Sequence, residues 1–302
     1  MNRIWEMLPP SMPDTSFLFE DNQVYGIRGK YDGKNLNIVS KVNEYFALPT
    51  TEETIMEEDI RPIAERLLLS LGNPERASLV LPDTMFRMQT VEIENFPKDK
   101  EEIKKILLWQ ARRNLAHPVN NLRVRYKILE KEGDFAKIWL SAAPEETFSL
   151  FEKIFREKKC HIGFITSPTL AISEIIAQKG FLETSDVVLV MSVTSRSLTF
   201  FFFKDAKPLF FRTKDLREDV DFAERAAQEI KLTLLFQKER LSEKPLSKIF
   251  YRITSEEMRF PEEEFDSQTE AISLDKVFGL QGSLPIPSPI AIPLISSIWE
   301  ER

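Results

Sequence analysis

The chain has 302 residues but only one cysteine, two histidines and nine glycines. A lone thiol, Cys160, excludes an intrachain disulfide and a cysteine-based metal framework, and it fits a reducing compartment. His117 and His161 are too few for a histidine-rich metal site. Cys160 and His161 are adjacent in sequence, so on a strand they point to opposite faces and form no nucleophile pair. Glycine at about 3% stands well below the usual ~7%. No long lysine or arginine block occurs in a chain of formal net charge −7, so nucleic-acid binding has little support. No apolar run reaches the ~20 residues of a membrane helix. The start, MNRIWEMLPPSMPD, lacks the apolar core of a signal peptide. The end, PIPSPIAIPLISSIWEER, is broken by four prolines and cannot run on as one membrane helix.

What remains is an ordinary globular composition, 42% hydrophobic and 29% charged, long enough for two domain-sized cores. Strands open the ordered chain: FLFE from Phe17, VYGIRGKY, and LNIVSKV after the Asp32-Gly33 turn. EDIRPIAERLLLSLG follows as a helix, with Ile60, Ile63, Ala64, Leu67, Leu68 and Leu71 at helical spacing and Gly72 as its stop. ASLVLP and FRMQTVEI read as strands. KDKEEIKKILLWQARRNL is a helix whose apolar face takes in Ile103, Ile106, Leu107 and Trp109, the last expected in the core. LRVRYKILE and FAKIWLSAA form a hairpin. Pro144 opens a helix with the stripe Phe148, Phe151, Ile154 and Phe155. Ser167-Pro168 caps and opens another, which stops at Gly180.

The second half repeats this order. Three strands cover 186–213, a long helix runs from about Val220 to Arg240, and KIFYRI is a further strand. Phe200 to Phe203 reads as a strand buried on both faces. The acidic run from Glu262 to Glu270 reads as a solvated loop. Glu145 and Glu146 fall in the first turn of a helix, where carboxylates favour the dipole and need no acid–base role.

Several segments together resemble PilM, the actin-like cytoplasmic protein of type IV pilus assembly, and the cytoplasmic part of the type II secretion protein GspL. They are LVLP at 79–82, WQARRNLAHP at 109–118, WLSAAPEETFSLF at 139–151, ITSPTLAI at 165–172 and PLFFRT at 208–213, in the family's order. Gln110 replaces the family's usual Glu, Thr166 stands at its Asp place, and Arg212 at the Arg of a strand ending Phe-x-Arg. The resemblance implies an α/β, actin-like (ribonuclease H-like) fold of two domains with an inserted small α/β subdomain. The expected division is a flexible segment at 1–15, a first domain at 16–75 plus 161–183, an insert at 76–160 and a second domain at 184–302.

It further implies a scaffold, not an enzyme, at the inner face of the inner membrane. Its partner would be a PilN-like single-span membrane protein, held by its cytoplasmic N-terminal tail, a peptide of Ile-Asn-Leu-Leu-Pro type. Self-association is a second expectation. Arg87, Gln110 and Arg113 are the expected partner-binding residues. The segment RIWEMLPP at 3–10, with Ile4, Trp5, Met7 and Leu8, resembles the partner's peptide; a free tail, a membrane-surface anchor and docking in a groove of its own chain or a neighbour's are the alternatives for it. Apolar side chains of this kind gain roughly 1.5–3 kcal/mol each on burial.

The sequence departs from the family where a nucleotide would sit. LFEDNQVY at 18–25 replaces a glycine-bearing phosphate hairpin, and Tyr25 stands near its Lys. Met191, Ser192 and Val193 occupy the Asp-x-Gly place of the second hairpin. In KIFYRITSEEM at 248–258, Ser255 and Glu256 stand near a Gly-Gly. Phosphate loops need backbone N–H groups close to the oxygens, an approach glycine permits. The expectation is a pseudo-ATPase with no catalytic residues, no cofactor and no metal. The carboxylate that would stand near a bound Mg²⁺ is missing too, unless Glu20 or Asp21 shifts in register. Two alternatives remain: a GspL-type cytoplasmic domain, which a membrane helix would follow, and a divergent actin-fold ATPase or kinase.

Overall fold

The structure, a computed structural model, describes residues 13–31, 36–46, 55–113, 121–216, 221–255, 258–266, 268–274 and 286–298. The first half opens with a meander of β1 (Thr15–Glu20), β2 (Gln23–Tyr31) and β3 (Leu36–Tyr45), followed by α1 (Glu57–Ser70) and β4 (Arg76–Val80). A sub-structure then intervenes: β5 (Arg87–Ile93), α2 (Lys100–Arg113), β6 (Leu122–Glu132) and β7 (Phe135–Pro144). The chain returns through α3 (Glu145–Glu157), β8 (His161–Thr166) and α4 (Pro168–Gln178). The second half runs β9 (Val187–Val193), β10 (Ser197–Lys204), β11 (Lys207–Asp215), α5 (Phe222–Phe236), β12 (Leu246–Ile253), β13 (Glu270–Ser273) and α6 (Ser288–Ser296).

Two five-stranded sheets result, ordered β3-β2-β1-β4-β8 and β11-β10-β9-β12-β13. In each, the first three strands pair antiparallel and the next two add in parallel. The same unit is therefore built twice, as the repeated order of strands and helix leads one to expect. The third sheet, β5-β7-β6, is antiparallel. Its membership corrects the expected insert of 76–160: β4 lies inside the first sheet, and α3 packs with α1 on that sheet. The third sheet's strands lie within 87–144.

Packing follows the side-chain periods. Phe17, Phe19 and Leu79 point to the face covered by α1 (Ile60, Ile63, Ala64, Leu67) and α3 (Phe151, Phe155). Leu18, Ile27 and Val80 point the other way, onto Ile290, Ala291 and Leu294 of α6. The tail from 286 therefore packs on the first half, which corrects its expected assignment to the second. It is also helical despite its prolines. Pro289 falls in the first turn, where its missing N–H is not needed, while Pro293 lies inside.

Phe200 to Phe203 are each fully buried, as the reading of a two-face-buried strand requires. Phe200 and Phe202 pack towards α5. Phe201 and Phe203 join the core shared with the first half. At the helix starts, the Ser167 side chain accepts a hydrogen bond from the Leu170 N–H, with Pro168 as the first helical residue. Trp109 corrects its core expectation: it is 57% exposed, and the Arg113 guanidinium lies 5.6 Å from its ring centre.

Candidate functional site

Polar side chains come together in the cleft between the two halves and in a groove beside β8.

The cleft is formed where β1, β9 and β12 end. β1 and β2 are joined by the two-residue turn Asp21-Asn22, since Glu20 pairs with Gln23. β9 and β10 are joined through Thr194 to Arg196, closed by Thr194 Oγ1 accepting from the N–H groups of Arg196 and Ser197. The turns face each other: the Ser195 N–H donates to Asp21 Oδ2 at 3.3 Å. Between them lies Arg252, only 2% exposed. Its Nε donates to Ser192 Oγ at 2.9 Å, its Nη1 to the Pro289 carbonyl at 2.8 Å, and its Nη2 to Glu20 Oε1. The Pro289 carbonyl is an acceptor because Pro293, four residues on, has no N–H to give it. One guanidinium thus ties together β1, β9, β12 and the start of α6.

Glu20 is 4% exposed. Burial pushes its pKa up to about 7, and this outweighs the attraction of Arg252. Asp21 and Asp83 add to the rise. Asp83, just after β4, is buried too, and accepts from Thr169 N–H at 3.2 Å and Thr169 Oγ1 at 2.6 Å. Burial raises its pKa as well. Met191, Ser192 and Val193 lie within β9, all buried. The residues present do not fit a phosphate chain with its metal. Three of the guanidinium's donors are already engaged, one turn N–H is bonded to a carboxylate, and no glycine lies in either turn. Arg252 went unremarked at the sequence level, where a lone arginine in KIFYRI reads as a strand residue.

The groove has a volume of about 270 Å³. It lies along β8, the edge strand of the first sheet, whose outer side has no partner strand among the described residues. One wall is the third sheet and α3: Trp139, Ser141, Ala143, Arg123, Arg125 and Phe148. The other is α4, through Leu170, Ala171 and Ile175. The pleat explains the first wall. Arg123 pairs with Ala143 and Arg125 with Ser141, so these four share one face, and Trp139 lies two residues along. Ile138, Leu140 and Ala142 point the opposite way, under Ile103, Leu107 and Ala111 of α2. Arg123 is held by both Glu145 and Glu152 at 2.6 Å, and lies 5.5 Å from the Phe148 ring centre. Arg125 donates to its neighbour's Val124 carbonyl and has no carboxylate within 4.0 Å among the described residues. Trp139 Nε1, Gln178 Oε1 and Ser296 Oγ are buried atoms of the lining without a hydrogen-bond partner among the described residues.

Arg87, Gln110 and Arg113 do not line this groove. Arg87 pairs with Ala142 and so lies on the α2-covered face of the third sheet, while Gln110 and Arg113 belong to α2 itself. Ile4, Trp5, Met7 and Leu8 lie outside the described residues.

No family model and no curated protein matches this sequence. Solved structures do match. A chain of the PilM–PilN type IV pilus biogenesis complex is 14% identical, with a TM-score of 0.68 over 96% of this chain and 97% of that one. A Bacteroides thetaiotaomicron protein with an actin-like ATPase fold and unknown function is 12% identical, with a TM-score of 0.52 over 87% and 91%. The cytoplasmic domain of EpsL, an inner-membrane component of the Vibrio cholerae type II secretion system, is 10% identical, with a TM-score of 0.52 over 95% and 95%. The doubled five-stranded unit is the actin-like two-domain α/β fold. Within that class, this chain is PilM-like in architecture.

Proposed function

We propose that this chain is a cytoplasmic scaffold of a pilus or secretion machine. Its β8 groove captures the extended tail of a PilN-like inner-membrane protein, and its cleft works without nucleotide. The observation that carries the reading is the groove: a strand edge unpaired among the described residues, walls that mix apolar and charged side chains, and buried polar atoms such as Trp139 Nε1 left without partners there. An extended peptide supplies what such a site lacks, namely backbone groups for the edge and alternating side chains for the walls. The architecture shared with a chain of the PilM–PilN complex supports this. The nucleotide-free half is supported by Arg252 and the glycine-free turns.

A synthetic peptide carrying the Ile-Asn-Leu-Leu-Pro pattern tests the groove by titration calorimetry. Ser141→Trp would fill the space between the walls and is expected to weaken binding at least tenfold at an unchanged melting temperature. The triple change Arg87→Glu, Gln110→Glu and Arg113→Glu is expected to leave binding unaltered. The reverse pattern would move the site to the α2 face.

A further inference from the structure

We propose that the outer face of α2 rests on the anionic lipid surface of a membrane, with Trp109 at the level of the headgroups and Lys105, Arg112 and Arg113 on their phosphates. The proposal is independent of the β8 groove, because α2 covers the opposite face of the third sheet.

The first support is an exposed indole. Ile103, Leu107 and Ala111 hold α2 on the third sheet. Each helical residue turns by about 100°, so Trp109, two positions from both Leu107 and Ala111, points away from that sheet. It is 57% exposed, whereas Trp139 is buried in the core. A bare indole is a large apolar surface left in water. Its ring contact is a cation, the Arg113 guanidinium 5.6 Å from the ring centre.

The second is charge. Residues three and four positions apart share a face of a helix. Lys105, Arg112 and Arg113 stand at those distances from Trp109, and all three are exposed. From Ile103 to Arg113 the sequence holds no carboxylate. Glu101 and Glu102 fall in the first turn, at the far end of α2, where they favour the dipole. The whole chain has a formal net charge of −7, so an anionic surface repels most of it and attracts this face.

Lipid fits the combination better than an acidic protein does. An indole settles at the membrane–water interface, with its ring on the apolar side. Half-buried Ile106 and Leu108 flank it and widen the apolar strip. Lys and Arg side chains are long enough to reach phosphates while their stems cover apolar surface. Each cation near an anionic leaflet strengthens binding by about fivefold. One apolar anchor ringed by cations gives weak, reversible, salt-sensitive docking without insertion.

The test is co-sedimentation of the full chain with vesicles of phosphatidylglycerol and phosphatidylethanolamine, set against vesicles of phosphatidylcholine. Binding is expected to the anionic vesicles alone, and to fall as salt rises. Lys105→Gln, Arg112→Gln and Arg113→Gln are each expected to weaken it by about fivefold at an unchanged melting temperature. Trp109→Ala is expected to weaken it, and Trp109→Phe to restore part of the loss. Should Trp109→Ala not fold, the three cation changes decide. No binding, equal binding to the neutral vesicles, or indifference to these changes would overturn the proposal. A loss on Trp5→Ala that Trp109→Ala does not share would give the membrane contact to the N-terminal segment and overturn it as well. Soluble poly-glutamate is titrated in parallel. Saturation with it, in the absence of vesicle binding, would make the face an acidic-protein surface and count against lipid docking.

Discussion

At the scale of single residues, the pair Glu20–Arg252 is the most consequential contact. Each group is costly to bury, and both are almost fully removed from solvent, Glu20 at 4% and Arg252 at 2% exposure. Arg252→Ala should therefore destabilise the protein by roughly 3–5 kcal/mol, because it leaves a buried carboxylate and the Pro289 carbonyl unpaired. Urea denaturation measures this, and a loss below ~1 kcal/mol would mean that water enters the cleft freely. Glu20 also sets a pH dependence. Its pKa is raised to about 7 from the ordinary 4.5, so the folded state binds its proton more tightly than the unfolded state does. Its contribution to stability must then fall as pH rises from about 4.5 to about 7. The wild-type stability minus that of Glu20→Gln is expected to decline across that window. A difference that grows with pH would show that Arg252, not burial, governs the carboxyl. Cys160 is the opposite case, a thiol packed in the core. Burial, helped by Asp14, pushes its thiol up to about 12. The thiolate that reacts is then scarce near neutrality.

At the scale of elements, the decisive features are edges and close approaches. β8 is the edge of the first sheet, with no partner on its outer side among the described residues, and in α6 the carbonyl that the internal proline leaves without a helix donor is met from outside by Arg252. β2 shows how tightly the meander is packed. A Cβ at Gly26 would lie 2.8 Å from Val42 Cγ1 and 2.9 Å from Phe17 Cδ1. Gly26→Ala is therefore expected to cost about 1–3 kcal/mol through overpacking, lowering the urea midpoint without changing the slope. A neutral result would mean that Val42 and Phe17 shift at little cost.

At the scale of the molecule, the two halves are joined through the cleft and through the third sheet. Trp139 stacks on Phe201 of the second half with ring centres 5.4 Å apart. The Thr90 hydroxyl reaches the Leu209 carbonyl at 3.5 Å. A cleft already bridged by Arg252 and by the Ser195–Asp21 contact has no need of a ligand to hold it together. Calorimetry with Mg-ATP at millimolar concentration is expected to show no saturable heat. A micromolar dissociation constant would overturn the nucleotide-free reading and favour the ATPase alternative.

The amino-acid sequence by itself determined the local elements. Apolar residues at helical spacing set α1 and α3, alternation and turn residues set the strands, and Ser167-Pro168 set the start of α4, because these signals act within a few residues. The resemblance to the PilM family added the doubled architecture and the missing phosphate glycines. Trp109 shows the limit of the helical pattern: it lies near the apolar stripe, yet α2 turns it outward. Which strand forms an edge, which sheet face meets the first half, and where the tail returns were decided only by tertiary structure. The groove draws on β7, β6, α3, β8, α4 and α6, and Arg252 meets Glu20 across 232 positions of chain. Nothing local to either residue signals such a meeting, because it is the closure of the fold that brings them together.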